Sequence, residues 1–353
     1  MKEFLERSQR ERASRRVTLL PDLFIDQIIT IPRTPKQFLS EARRIVKRGG
    51  GNYTGVSAQL TRGGCAANCA AALSSLEIPT SLISRTAEVA IHLLKLTSDL
   101  RHLDLSHIRT DGKLAATAAL EMQDNGNTIN LMVTDPGSSG RFSPDDLDEE
   151  DFELLKHSFI VGIFSWNLNK HGTGLLEKVA GYCVENGVQT YVDLGDPIPR
   201  IRQLPQLVDR VIREGLVNYL SVNENELRSL SRSLALSRWR DRPARDLAEE
   251  VAAQLPVELA LHTPNYAGFA KGSDAVFGPA FDVILRRSTG AGDAWNAGNI
   301  FGLLKEAEPE TRLIMANLLA AVHISSRQPK PHSLRELSGY VNKVRLKPFE
   351  QLS

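Results

Sequence analysis

Arg287-Ser288-Thr289-Gly290-Ala291-Gly292-Asp293-Ala294-Trp295-Asn296-Ala297-Gly298 is the stretch on which the reading of this chain turns. A Gly-Ala-Gly turn running into an Ala-rich helix exposes backbone N–H groups at a helix N-terminus, where the macrodipole also favours anions. That combination makes a phosphate cradle. Asp293 falls in the first turn of the helix, beside any anion held there, and a carboxylate so placed can take a proton from an attacking hydroxyl. The plain alternative is a glycine turn with Asp293 as an ordinary N-terminal cap. No Lys-Ser/Thr follows the glycines at P-loop spacing, and a dinucleotide fingerprint is absent, so a phosphate site of another type is required.

Around this stretch the chain alternates strand and helix signals. Helical periodicity is predicted from Ala294 to Lys305, Thr311 to Ser325, Gly174 to Asn186 and Ala244 to Gln254. Strand-like runs fall at Phe159 to Phe164, Thr190 to Asp193, Leu220 to Val222, Val257 to Leu261 and Ala275 to Phe277. Strands spaced by helices predict a mainly parallel sheet covered on both faces. Toward the N-terminus, Arg16 to Thr30 reads as a first strand, bounded by charge before it and Pro32 after it. A Gly-rich stretch, Gly49 to Gly55, is followed by Gly63-Gly64 opening an Ala-rich helix from Ala66 to Leu76. Leu114 to Val133 breaks the rhythm with two short β-like runs around Asp124-Asn125-Gly126-Asn127, and Asn125-Gly126 is a strong hairpin signal. That hairpin does not join a parallel sheet easily and is assigned to a small lid.

The 353 residues carry 43 Lys and Arg against 42 Asp and Glu, a net charge of +1. Nucleic-acid coating requires a clear excess of cations, so that class is set aside. Apolar runs stay far short of the roughly 18 residues of a membrane span, and Lys2 to Arg16 is a charged lead-in without the apolar core of a secretion signal. The three cysteines, Cys65, Cys69 and Cys183, are too few for a disulfide framework, and a reducing cytoplasm fits them best. Cys65 and Cys69, at i,i+4, read as small buried helix residues rather than ligands.

Four segments together resemble the ribokinase-like (PfkB) carbohydrate kinase family. Ser288 to Gly298 looks like its C-terminal signature, Asp/Asn-Thr-x-Gly-Ala-Gly-Asp. Gly63-Gly64-Cys65-Ala66-Ala67-Asn68-Cys69-Ala70 is similar to Gly-Gly-x-x-x-Asn-x-Ala, and Asn223-Glu224-Asn225-Glu226 to Asn-x-x-Glu. Pro21 to Asp26 stands in the place of a strand-end Gly-x-x-x-x-Asp. The four occur in the family's order and span residues 17 to about 325. The resemblance implies a three-layer α/β/α core with a mainly parallel sheet over residues 17–345, a charged lead-in over 1–16, and lid segments near 27–33 and 112–134.

It also implies roles. Asp293 is the expected base, with Gly290, Ala291 and Gly292 as the anion hole. Asp26, Gly63, Gly64, Asn68 and Asn52 fall to the substrate; an ionised carboxylate takes two donors from a diol, and an Asn offers both donor and acceptor. Asn223, Glu226, Asp193, Thr263, Thr289 and Arg287 fall to the nucleotide and its phosphates, with Glu226 reaching Mg²⁺ through water. Asn223 and Glu226 also fit a bland capping box. Asp196-Pro197-Ile198-Pro199-Arg200 only partly matches the family's Asp-Pro-Asn-x-Arg, since Ile198 replaces the Asn.

Arg287 stands where the family carries Asp or Asn, a group that in several members helps hold an activating monovalent cation. A guanidinium cannot ligate a cation but brings a fixed positive charge, so potassium independence is expected. Ser84-Arg85-Thr86-Ala87-Glu88 lacks the glycines common after the second strand. His262-Thr263-Pro264-Asn265 replaces the usual Thr-x-Gly and leaves ATP or ADP open as donor. The implied activity is phosphoryl transfer from a nucleotide to a sugar hydroxyl, with a nucleoside or a sugar phosphate such as ribose 1-phosphate as the alternative acceptor. A non-catalytic ligand-binding relative of the fold is the rival of another class. The implied assembly is a monomer or a lid-mediated homodimer, with neither nucleic acid nor membrane as partner.

Overall fold

A computed structural model describes residues 1–11, 15–326 and 330–348 of the chain. Its centre is a nine-stranded sheet in the order Asp274–Pro279, Tyr266–Lys271, Glu258–His262, Tyr219–Asn223, Gln189–Asp193, Ile160–Phe164, Val17–Leu20, Thr80–Leu82, Leu103–Asp104. From Glu258–His262 through Leu103–Asp104 every neighbouring pair is parallel. Ile160–Phe164 is buried along its whole length, as a strand covered on both faces requires. Alternate residues go to opposite apolar clusters: Val161 and Ile163 pack with the helices Gly172–Glu185 and Ala244–Gln254, Ile160 and Phe164 with Cys65–Ser75 and Ala291–Leu304. The result is the expected α/β/α arrangement.

Several sequence expectations are corrected. Ala275 to Phe277 is not a parallel strand. It belongs to an antiparallel edge hairpin whose other arm, Tyr266–Lys271, carried no separate signal. The single strand expected over Arg16 to Thr30 is two. Val17–Leu20 lies in the core sheet, the chain breaks at Pro21-Asp22, and Phe24–Thr30 enters a second sheet.

That second sheet is the lid, in the order Ser57–Gly63, Phe24–Thr30, Ala115–Asp124, Asn127–Asp135. The Asn125-Gly126 hairpin is present, with Asn125 and Gly126 both at positive φ. The lid is larger than expected, because Ser57–Gly63 and the helix Pro35–Lys47 were not predicted. The helix begins with a Thr34–Gln37 capping box and Pro35, and its apolar face, Phe38, Ala42 and Ile45, is only half-buried.

The charged lead-in is not simply solvated. Lys2–Arg10 is a helix that buries Phe4 and Leu5, with Phe4 edge-on to Phe301 at 6.0 Å. Residues 12–14 of the lead-in lie outside the described residues. Among the described residues no helix is long and apolar enough to cross a membrane.

Candidate active site

The helix Ala291–Leu304 starts at Gly290, whose φ of +80° is a left-handed conformation suited to glycine. Gly290 has no side chain to cap the first turn, and Ala291 N donates to the Ser288 carbonyl at 3.3 Å, so the turn is closed by its own backbone without a capping side chain. Asp293 is the third residue of the helix and is not its cap. Its Oδ2 accepts from Asn68 Nδ2 at 2.8 Å, across the cleft. Only 8% of Asp293 is exposed, and burial raises its pKa to about 8. The Asn68 bond pulls the other way, and the charges of Asp193 and Asp22 add to the rise.

Asp22, which no motif singled out, sets the position of Asn68. The helix Cys65–Ser75 also starts at a glycine without a capping side chain, Gly64 at φ +89°. Asp22 fills that role from the end of the first core strand, its carboxylate accepting from Cys65 N at 2.7 Å, Ala66 N at 3.0 Å and Ser165 Oγ at 2.8 Å. Asn68, one turn on, is thereby aimed at Asp293. Cys69 is fully buried as expected, while Cys65 is only half-buried, and both are free thiols.

Asp26 lies not at a core strand end but within the lid strand Phe24–Thr30, in register with Thr61 and Thr117. It is 8% exposed, and its Oδ1 is buried with no hydrogen-bond partner among the described residues. Burial and then the charge of Asp22 raise its pKa to about 7, against the Thr117 bond and the charge of Arg62. Gly63 makes room for it: a Cβ there would lie 2.0 Å from Asp26 Oδ1. Asn52 is exposed, on the loop after Pro35–Lys47, and makes none of the hydrogen bonds of this cluster.

The residues expected at the nucleotide gather at the carboxyl ends of the parallel strands, where open α/β sheets bind ligands. Asn223 and Glu226 form a full capping box. Asn223 Oδ1 accepts from Asn225 N at 2.9 Å and Glu226 N at 3.1 Å, and the Glu226 carboxylate accepts from Asn223 N at 2.9 Å and Nδ2 at 2.6 Å. Burial, then Asp193, raises the Glu226 pKa well above the usual range. Asp193 accepts from Gly195 N at 2.9 Å and Asn296 Nδ2 at 2.6 Å. The Thr263 hydroxyl is occupied within its own turn, donating to the Tyr266 carbonyl at 2.7 Å. Arg200 stacks on Trp166 and donates to its carbonyl at 2.8 Å.

Two histidines to which the sequence assigns no role border the site. His262 ends the strand Glu258–His262 beside Gly292, stacks on Trp295 at 5.1 Å, and has a buried Nε2 with no partner among the described residues. His323 Nε2 donates to the Thr289 carbonyl at 3.0 Å. Burial lowers both to about 4, so both are neutral at physiological pH. Their only sequence signal was position, one at a strand end and one near a helix end. Arg287 is buried and donates from Nε at 3.3 Å and from Nη2 at 3.1 Å to the Ser326 carbonyl, bridging the cradle loop to the end of the helix Pro309–Ser325.

Among the described residues no cluster of three His, Cys, Asp or Glu side chains could hold a metal ion.

The family model of the pfkB family carbohydrate kinases matches residues 37–335. This chain belongs to that family. As a pfkB kinase it is a phosphotransferase acting on hydroxyl groups. Solved structures share the fold. Adenosine kinase from Sinorhizobium meliloti is 17% identical with a TM-score of 0.72, covering 94% of this chain and 99% of that one. Arabidopsis thaliana ribokinase complexed with ribose and ATP is 19% identical with a TM-score of 0.67, covering 92% and 98%. 2-Dehydro-3-deoxygluconokinase from Thermotoga maritima is 16% identical with a TM-score of 0.72, covering 93% and 99%. No curated protein sequence matches the chain significantly.

Proposed function

We propose that this pfkB kinase transfers the terminal phosphoryl group of ATP to a hydroxyl of a sugar, with Asp293 as general base. The observation that carries the reading is Asp293 itself, buried at the start of a glycine-initiated helix and hydrogen-bonded to Asn68. The acceptor hydroxyl, oriented by Asp26 and Asn68, gives its proton to Asp293 as its oxygen bonds to the phosphorus. The bond from phosphorus to the bridging oxygen breaks, and ADP leaves. The N–H groups of Gly290, Ala291 and Gly292 face the charge that gathers on the transferred group. Mg²⁺, held by the nucleotide phosphates with Glu226 reaching it through water, would neutralise part of the phosphate charge. A non-catalytic relative would have no use for a buried base beside an intact cradle.

The acceptor is tested with ribose, ribose 1-phosphate, fructose 6-phosphate, adenosine and cytidine, each with ATP and then ADP. Turnover of a free sugar with ATP, lost in Asp293→Asn, supports the reading. Turnover confined to adenosine, cytidine or a sugar phosphate, or confined to ADP, replaces the sugar or the ATP in it. Normal turnover in Asp293→Asn removes the base.

A further inference from the structure

The lid reaches the phosphate cradle through two side chains that no motif assigns. In the antiparallel hairpin, Glu121 lies directly opposite Asn130, so both side chains leave the same face. Both end on the two residues before Gly290. Thr289 Oγ1 donates to Glu121 Oε1 at 3.1 Å. Asn130 Nδ2 donates to Ser288 Oγ at 2.9 Å and reaches Thr289 Oγ1 at 3.4 Å. Glu121 is 7% exposed, and its charge partly opposes the burial that lowers the pKa of the nearby Arg287 guanidinium. On the opposite side His323 holds the Thr289 carbonyl, and Arg287 is anchored on the Ser326 carbonyl. The Ser288-Thr289 segment is thus clamped between the lid and the helix Pro309–Ser325.

The geometry points to Glu121 and Asn130 as positioning residues that make the cradle depend on the lid. When the hairpin swings away, Thr289 keeps, among the described residues, its carbonyl bond to His323. Gly290, at the joint between this segment and the helix, then gives the loop a pivot. Closing the lid over an acceptor and aligning the N–H groups for the phosphoryl group become one event. Such coupling withholds the aligned cradle from a nucleotide bound without an acceptor, and so limits transfer to water. The catalytic half of this inference rests on the proposed kinase activity; the structural half does not.

Two measurements on the full chain test it. The first is a double-mutant cycle on kcat between Glu121→Ala and Thr289→Val. Each single variant is expected to lose roughly tenfold, the scale of one hydrogen bond to a charged group. The double variant should lose no more than the worse single, because Glu121 acts through the Thr289 hydroxyl. Glu121→Gln, which keeps an acceptor oxygen, should restore most of the loss. Losses that multiply in the double variant overturn the proposal. The second is amide hydrogen exchange on the free enzyme. Residues 288–292 should exchange roughly tenfold faster in Glu121→Ala and in Asn130→Ala, with the strand Ile160–Phe164 unchanged. Unaltered protection at 288–292 overturns the clamp whatever the turnover. An enzyme inactive on every acceptor defeats the kinase reading alone and leaves the exchange result to judge the clamp.

Discussion

Asn68 Nδ2 donates to Asp293 Oδ2 at 2.8 Å, joining two helix starts that lie 225 residues apart in the chain. Each of those helices begins at a glycine with no side-chain cap of its own. The bond therefore ties a helix start capped from outside by Asp22 to one that begins at Gly290 without a capping side chain, with a cleft between them.

Replacing Asp293 by Asn keeps the shape and removes the base. We expect kcat to fall by roughly 10²–10⁴-fold, the usual range for general base catalysis, with acceptor binding nearly unchanged by calorimetry. Equal losses in binding and in kcat would instead make Asp293 a binding residue.

With its pKa at about 8, Asp293 is mostly protonated at neutral pH, so kcat/KM should rise with pH and level off above about 8. Asn68→Ala removes a donor that favours the carboxylate and should move that limb to higher pH. The stability sign follows from the same shift. Asp293 binds its proton more tightly folded than unfolded, so its contribution is fully present below about pH 4 and is lost as pH rises through about 8. Asp293→Asn should therefore gain most over wild type near pH 9 and least near pH 5 in thermal melts. A pH–rate limb centred below pH 6 contradicts this account.

Gly63→Ala would place a Cβ 2.0 Å from Asp26 Oδ1 and 2.1 Å from its Cγ. Overpacking of this kind typically costs about 1–3 kcal/mol, so we expect acceptor KM to rise roughly tenfold or more as Asp26 is displaced. Gly181→Ala, in the helix Gly172–Glu185 with nothing within 4 Å of the new methyl, is the control and should leave KM unchanged.

Arg287 takes the Ser326 carbonyl, so exchanging sodium for potassium should leave kcat unchanged. A several-fold rise in potassium removes this role. Arg287→Ala leaves that carbonyl without its guanidinium donor and should lower stability by about 1.5–3 kcal/mol, read from denaturant midpoints.

Phe4→Ala removes a buried ring packed edge-on against Phe301, and we expect a loss of about 3 kcal/mol in denaturant unfolding. A change below about 0.5 kcal/mol would return the N-terminal helix to the status of a surface segment.

The legible parts of the fold were those written in local chemistry. The cradle, the Gly63-Gly64 helix start and the Asn125-Gly126 hairpin each depend on a backbone conformation that a few consecutive residues determine. The strand Ser57–Gly63 is hard to read because its first four residues are exposed and its alternation rests on only two apolar residues, Ala58 and Leu60. Arg16 to Thr30 read as one strand because the apolar run resumes beyond Pro21-Asp22, although the two halves join different sheets. Asn52, which the resemblance places at the substrate, sits exposed on a loop, because no motif around it fixes its position.

By itself the sequence determined the βα rhythm, the family pattern and the place of Asp293 after a Gly-Ala-Gly turn, because strand period, helix starts and glycine turns are short-range properties. The tertiary structure alone decided that Asp22 caps the helix carrying Asn68, that Glu121 and Asn130 reach the cradle, and that Arg287 lies on the Ser326 carbonyl. It also set the raised pKa values of Asp293 and Asp26. Desolvation and hydrogen bonding depend on what surrounds a group in space, and here the surroundings include Asn68, 225 residues from Asp293 in the chain.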